Sequence, residues 1–208
     1  SPDDVSTALA ERELIRVHED GRERVSTQGV LDEERWMLDA ARASRGRFDA
    51  INPFVAVPED SLSEEQAHVV RHVLDSRDGV MLIRGPAGTG KTRLMTVAVD
   101  LIQQSGKRVT LLAPTAEAAH DVLKKEGFIN THTVARFLID EALQRQAAGQ
   151  VVWVDEAGLL GGPVFAKLMR ASIQQGFRII LGGDQRQHHS VERGDAFRLL
   201  IEHAQLPV

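Results

Sequence analysis

The chain has 208 residues, a formal net charge of −5 and a hydrophobic fraction of 42%. This length allows one α/β domain with a small appendage, but not two large domains. Because the chain has no cysteine, a disulfide framework, a thiolate zinc site and a cysteine nucleophile are excluded. No apolar run reaches the roughly 18 residues of a membrane-spanning helix, and no signal peptide opens the chain. We therefore expect a soluble, cytoplasmic protein without a membrane segment.

No part of the chain is strongly basic. Residues 1–58 carry 8 basic and 12 acidic side chains, and residues 59–208 carry 17 and 18. A contact with nucleic acid would therefore depend on a local patch and not on the overall charge. Since the chain begins at Ser1 and not at a methionine, we expect it to be a piece of a longer protein.

The first part of the chain is predicted to be helical. Residues 5–18 combine good helix formers with apolar residues at loosely helical spacing, and Asp20-Gly21 ends this pattern. Thr27 is predicted to cap a second helix whose first turn is rich in acids.

Proline dipeptides separate this part from the rest. Asn52-Pro53 and Val57-Pro58 cannot propagate a helix. We therefore divide the chain near residue 58, into an N-terminal helical segment with a linker (1–58) and a second domain (59–208).

From Ser63 onwards, helical patterns alternate with four short apolar runs. The runs cover residues 80–83, 109–113, 151–154 and 179–181. Runs that are apolar on both faces are typical of buried parallel strands, and the helical patterns between them supply the crossovers. This predicts an α/β fold in which helices sandwich a parallel sheet. Glycine or polar residues follow each run, at the edge where open α/β sheets bind ligands.

A glycine-rich segment after the first run fits the phosphate-binding pattern G-x-x-x-x-G-K-[ST]. It consists of Gly85, Pro86, Ala87, Gly88, Thr89, Gly90, Lys91 and Thr92. Glycines let backbone N–H groups turn towards phosphate oxygens, and the following helix adds its positive dipole end. We predict that Lys91 reaches the β- and γ-phosphates of ATP and that the Thr92 hydroxyl ligates Mg²⁺. The alternative is a glycine-rich turn that matches by chance.

Asp155 and Glu156 follow the third run. One carboxylate beside a triphosphate can hold Mg²⁺, and a second can orient and deprotonate an attacking water. Because kinases need no such water, the pair favours hydrolysis. The alternative is a helix N-cap followed by a first-turn acid.

Two glutamines have both a functional and a structural interpretation. Gln187, after the fourth run, can hydrogen-bond the γ-phosphate and the attacking water, or it can be a solvent-facing loop residue. Gln66 completes a capping box that begins at Ser63, but its amide could also recognise adenine through two hydrogen bonds.

Several residues are candidates for contacts with a DNA backbone. Thr115 could donate to a phosphate or cap the helix that follows it, and Thr133 could likewise contact DNA. The basic residues Lys124, Lys125 and Arg136 could contact a backbone or be solvated. The adjacent His188-His189 belong to no carboxylate–histidine set of metal-ligand spacing, so we predict no metal other than Mg²⁺.

Together these segments resemble the first motor domain of superfamily 1 DNA helicases, in the branch of RecD-like proteins and conjugative relaxase-helicases. The resemblance covers residues 26–208 and rests on LSEEQ (62–66), GPAGTGKT (85–92), LLAPTAEAAHDVL (111–123), THTV (131–134), VVWVDEAGLL (151–160), LGGDQRQ (181–187) and SVERGDAF (190–197). His188, where many relatives have leucine, favours the conjugative relaxases.

The resemblance implies a RecA-like P-loop NTPase fold, ATP and Mg²⁺ as cofactors, and 5′→3′ movement on single-stranded DNA. By this resemblance, Gln66 recognises adenine, Thr92 and Asp155 hold Mg²⁺, and Glu156 activates the attacking water. Gln187 couples the γ-phosphate to DNA, and Thr115 and Thr133 contact DNA. Such motors use arginines of a second RecA-like domain as partner, so we expect this domain alone to be nearly inactive. Since the chain has no tyrosine, it cannot carry out relaxase nicking.

Three other functions stay open. The chain could be a non-catalytic module that grips single-stranded DNA or another subunit, although intact Lys91, Asp155 and Glu156 argue against it. It could also belong to a RecD-like recombination or repair helicase. A small-molecule P-loop kinase would explain neither the Thr115 segment nor the Gln187 segment.

Overall fold

The computed structural model describes residues 14–19, 22–85, 90–119, 127–183 and 196–207. The strands are β1 (Leu14–Glu19), β2 (Arg22–Thr27), β3 (Val80–Arg84), β4 (Val109–Ala113), β5 (Thr131–Thr133), β6 (Val151–Val154) and β7 (Arg178–Gly183). The helices are α1 (Gln28–Ala43), α2 (Glu64–Asp75), α3 (Lys91–Gln104), α4 (Val134–Ile139), α5 (Glu141–Gln146), α6 (Gly162–Gln175) and α7 (Ala196–His203). Within these ranges, no helix is both long and apolar enough to cross a membrane.

Five strands form one parallel sheet in the order β3-β7-β6-β4-β5. The side chains of β4, β6 and β7 are buried throughout, as are those of β3 up to its last residue. The predicted α/β fold with a parallel sheet between helices is therefore confirmed, and all four apolar runs are strands. The prediction missed β5, because its sequence Thr-His-Thr is polar and only three residues long.

The core has two halves, one on each face of the sheet. Met81 and Ile83 of β3 pack with α2 and α3 on one face. Val80 and Leu82 pack with α1, α6 and α7 on the other. This alternation follows from the two-residue period of a strand. The parallel pairing of the five strands places all their carboxyl ends at the same edge.

The predicted helix over residues 5–18 is wrong where the structure describes it, since residues 14–19 form β1. That strand pairs antiparallel with β2, with Leu14 opposite Thr27. Thr27 does cap α1, because its hydroxyl accepts a hydrogen bond from the Val30 N–H. The acids predicted for the first turn of this helix are absent from it.

Arg178, the first residue of β7, holds the segment after α1 against the body of the domain. It is 5% exposed, and its guanidinium donates to the carbonyl oxygens of Asp49, Ser76 and Asp78 at 2.7 to 3.1 Å. Burial lowers the pKa of Arg178 to about 10, so it remains charged at neutral pH. The division of the chain near residue 58 remains a prediction.

Candidate functional site

The described part of the glycine-rich segment joins β3 to α3 at the carboxyl edge of the sheet. The Gly85 N–H donates to the Gly183 carbonyl of neighbouring β7 at 3.2 Å. Gly90 precedes α3 with φ +73°, a conformation that L-residues with a Cβ rarely adopt. Lys91 and Thr92 are the first two residues of α3, as predicted from the pattern. Pro86, Ala87, Gly88 and Thr89 lie outside the described residues.

The start of α3 has the features of an anion-binding site. Its first turn contains no acidic residue, so the positive end of the helix dipole is not neutralised there. The first backbone N–H groups of a helix have no partner within the helix. Together with the Lys91 ammonium, these groups can bind phosphate oxygens.

Asp155 and Glu156 follow β6 at the same edge. The Asp155 N–H donates to the Leu112 carbonyl of β4 at 2.9 Å, which continues the ladder of the sheet. Glu156 has φ +52°, a strained backbone for a residue with a side chain, and a short 3-10 helix follows it at Ala157–Leu159. Both carboxylates are half-buried.

The pKa of Glu156 depends on its burial and on the charges of Asp155 and Lys91. Burial raises the pKa of Glu156 and the adjacent Asp155 carboxylate raises it further, whereas the Lys91 ammonium lowers it. A carboxylate in such a position can act as a proton acceptor near neutral pH. This is the role expected for the residue that activates water.

One cavity brings four of the predicted nucleotide-site residues together, whereas Gly90, Thr92 and Glu156 are described but do not line it. Gln66, Gly85, Lys91 and Asp155 all line it. Ser63 of the capping box also lines it. Sequence reasoning missed the other lining residues, which are Glu65 and Val69 of α2, Ile83 and Arg84 of β3, Leu94 and Met95 of α3, Trp153 of β6, and Gly182 and Gly183 of β7. Of these, Arg84 carried a signal as the polar last residue of an otherwise apolar strand, and Gly182 and Gly183 carried one because they follow the fourth apolar run.

The donor set fits a nucleotide with Mg²⁺. A hydroxyl such as that of Thr92 and a carboxylate such as that of Asp155 are hard oxygen ligands, which Mg²⁺ prefers. The described residues contain no group of three or more His, Cys, Asp or Glu side chains that could hold a metal by themselves.

Gln66 makes its capping box and also contacts the end of the phosphate-binding segment. Its N–H donates to the Ser63 hydroxyl at 3.2 Å, and the Ser63 N–H donates to Gln66 Oε1 at 3.0 Å. Gln66 Nε2 lies 3.5 Å from the Gly90 carbonyl oxygen. The structural interpretation of Gln66 is thus correct, and the residue nevertheless faces the cavity.

Thr115 follows β4 and Thr133 ends β5 at this edge. Thr115 caps a helical turn that is described over residues 116–119, and Thr133 caps α4. The Thr115 hydroxyl accepts from the Ala118 N–H at 3.1 Å, and the Thr133 hydroxyl accepts from the Arg136 N–H at 3.0 Å. Capping uses the oxygen as an acceptor, and a hydroxyl hydrogen can still donate to a phosphate. Capping and DNA contact are therefore compatible.

Gln187, Lys124 and Lys125, for which contacts are predicted, lie outside the described residues, as do His188-His189, for which no metal is predicted. Arg136 is described, and its guanidinium lies 3.4 Å from the Asp140 carboxylate. The roles suggested for these residues remain predictions.

Comparison with known proteins places this chain in a family. Residues 61–208 match the sequence profile of the AAA domain. A probable conjugal transfer protein TraA of Sinorhizobium fredii is 28% identical over 199 residues, which cover 92% of this chain and 16% of that protein. The multifunctional conjugation protein TraI of Escherichia coli is 27% identical over 150 residues, 67% of this chain and 8% of that protein.

A third relative is the ATP-dependent RecD2 DNA helicase of Deinococcus radiodurans. It is 30% identical over 187 residues, which cover 84% of this chain and 26% of that protein. The chain thus spans about a quarter or less of the length of these relatives. They confirm the predicted resemblance to conjugative relaxases and RecD-like helicases.

Proposed function

The chain belongs to the AAA domain family, and from that premise we propose that it is the ATP-binding and ATP-hydrolysing motor domain of a DNA helicase that moves 5′→3′ on single strands. We further propose that it is part of a conjugative relaxase-helicase, with a RecD-like repair helicase as the alternative. The observation that carries the proposal is the cavity at the carboxyl edge of the sheet, which is lined by Lys91 from one strand–helix junction and by Asp155 from another.

In this proposal the triphosphate of ATP binds across the start of α3. The Lys91 ammonium and the first N–H groups of the helix hold its β- and γ-phosphates. When bound, Mg²⁺ would neutralise charge on those phosphates, and Thr92 and Asp155 are the residues that would hold it. The Glu156 carboxylate accepts the proton of the attacking water, and Gln66 contacts the adenine ring.

Complete catalysis needs a second RecA-like domain. Arginines that stabilise the transferring phosphoryl group contribute about 10³–10⁵ in rate in related systems. We therefore infer that the isolated chain binds ATP but hydrolyses it very slowly. Unwinding by this chain alone, at the rate of an intact helicase, would contradict that inference.

Single-stranded DNA is the proposed second ligand. Thr115 follows β4 and Thr133 is the last residue of β5, at the edge that also carries the nucleotide site, and Gln187 is proposed to couple the two ligands. Support comes from the relative from Deinococcus radiodurans, which is a DNA helicase by name. Because both sites share one edge of one sheet, ATP binding should change the affinity for DNA.

The test measures binding of a fluorescent single-stranded oligonucleotide with and without a non-hydrolysable ATP analogue and Mg²⁺. We expect the analogue to change the DNA affinity by about fivefold or more, the usual lower range for coupled sites. Lys91→Ala should abolish this change, whereas Lys167→Ala, an exposed lysine of α6, should preserve it. An affinity that is indifferent to the nucleotide in the unaltered protein would favour the DNA-gripping module instead.

A further inference from the structure

The Gln66 side chain is held from two sides by groups of opposite character. On one side the Ser63 N–H donates to Oε1 at 3.0 Å. On the other, the Gly90 carbonyl oxygen lies 3.5 Å from Nε2. A backbone N–H can only donate and a carbonyl oxygen can only accept. These two neighbours therefore fix which end of the amide is oxygen and which is nitrogen.

The Ser63 hydroxyl determines one of these two neighbours. It accepts from the Gln66 N–H at 3.2 Å, which completes the capping box and holds the Ser63 backbone in its extended conformation. That conformation aims the Ser63 N–H at Gln66 Oε1. Without the hydroxyl, the first turn of α2 loses the hydrogen bond that holds Ser63 and Gln66 in the capping box.

Gly90 determines the other neighbour. A Cβ at this position would lie 2.8 Å from Gln66 Nε2, and the φ of +73° already disfavours any residue with a side chain. A glycine is therefore required here both for the backbone conformation and for the approach of the amide. This contact links α2 directly to the residue that precedes Lys91.

A fixed amide distinguishes adenine from guanine. Adenine presents a donor at N6 and an acceptor at N7, so a Gln can pair with both through Oε1 and Nε2. Guanine presents two acceptors, O6 and N7, and one of them must face Oε1. Each end of an amide can make two hydrogen bonds, so the contacts with Ser63 and Gly90 are compatible with a pair to the base.

We propose that Ser63 is a positioning residue for nucleotide-base discrimination, acting through the orientation of Gln66, with Gly90 as the opposing support. This rests on the proposed ATP-binding function and adds a determinant of specificity outside the glycine-rich segment. Ser63 acts through the cap of α2, so its removal should affect the choice of base more than the binding of phosphates.

The test compares the affinities of the 208-residue chain for fluorescent ATP and GTP analogues labelled on the ribose. In the unaltered protein we expect ATP to bind more tightly, and Gln66→Ala should reduce the ATP-to-GTP ratio by about fivefold or more, as expected for loss of a bidentate adenine pair. Ser63→Ala should reduce the same ratio, and Ser63→Thr, which keeps a capping hydroxyl, should restore it.

A matched control lies at the other end of the same helix. The Ser76 hydroxyl accepts from the Asp78 N–H at 3.1 Å, so Ser76→Ala removes a serine contact from α2 without touching Gln66 and should leave the ratio unchanged. A ratio that falls in Gln66→Ala but not in Ser63→Ala overturns the positioning role and leaves base recognition intact. An unaltered protein without preference for ATP overturns both, and one that binds neither nucleotide overturns the proposed function itself.

Discussion

The guanidinium of Arg178 donates a hydrogen bond of 3.1 Å to the carbonyl oxygen of Asp49, 129 residues earlier in the chain. Because it also donates to two further carbonyls, Arg178→Met should leave three acceptors without their partner and lower the free energy of unfolding by about 3 kcal/mol. Urea denaturation measures this change. Arg108→Met, which removes a single exposed contact, should change it by less than about 0.5 kcal/mol, and equal losses would contradict the role of Arg178.

Gly183, at the end of β7, has no room for a side chain. A Cβ there would lie 2.8 Å from the Phe197 ring and 3.1 Å from the Gly158 nitrogen. Gly183→Ala should therefore destabilise the protein by about 1–3 kcal/mol through overpacking. Gly29→Ala is the control, because nothing lies within 4 Å of its Cβ position, and it should be neutral or stabilising. Thermal unfolding that ranks the two variants in the opposite order would refute this packing argument.

His72 makes stability sensitive to acid. Burial lowers the pKa of His72 and nearby His68 lowers it further, whereas the Asp78 and Asp75 carboxylates oppose this effect; the buried Nε2 has no hydrogen-bond partner among the described residues. The folded state thus binds the proton less readily than the unfolded state. The contribution of neutral His72 to the free energy of unfolding is complete above the ordinary histidine pKa of 6.5. It is lost as the pH falls below that value, because the unfolded state binds the proton first.

The variant His72→Leu should remove this dependence. Between about pH 7.5 and pH 5.5 its free energy of unfolding should fall less than that of the unaltered protein, as measured by urea denaturation at each pH. His203→Leu, at an exposed position in the last turn of α7, provides the control. Parallel pH profiles for the unaltered protein and His72→Leu would show that His72 has no such effect.

Glu156 should govern hydrolysis but not binding. Glu156→Gln removes the proton acceptor, so we expect the slow single-turnover ATP hydrolysis of the chain to fall further, by up to about 10²–10⁴, while ATP still binds. Because the pKa of Glu156 is raised above 4.5, hydrolysis by the unaltered protein should be present above that raised pKa and should decline as the pH falls through it. Glu141→Gln, an exposed residue of α5, should retain hydrolysis, and an unchanged rate in Glu156→Gln would exclude it as the base.

The sequence alone was sufficient to predict those elements that a short stretch of neighbouring residues determines. Each strand of the sheet except β5 contains an apolar run, and the pattern ending at Thr92 specifies both the strand before it and the helix after it. Asp155 could be placed near Lys91 because the carboxyl ends of parallel strands share one edge.

Other features depend on partners distant in sequence. Residues 14–19 have helical spacing, but they form a strand because pairing with β2 outweighs a weak local preference. Arg178 would be expected at the surface from its charge, and only the folded chain brings three carbonyl groups around it. The contact between Gln66 and Gly90 likewise could not be predicted, because the capping box alone accounts for the glutamine in the sequence.

A crystal structure of this chain with a non-hydrolysable ATP analogue and Mg²⁺ tests the central claim most directly. We predict that the β- and γ-phosphates lie within hydrogen-bonding distance of the Lys91 ammonium and the first N–H groups of α3, with Mg²⁺ held by Thr92 and Asp155. Phosphates bound elsewhere on the protein, or carboxylates of Asp155 and Glu156 turned away from the nucleotide, would contradict it.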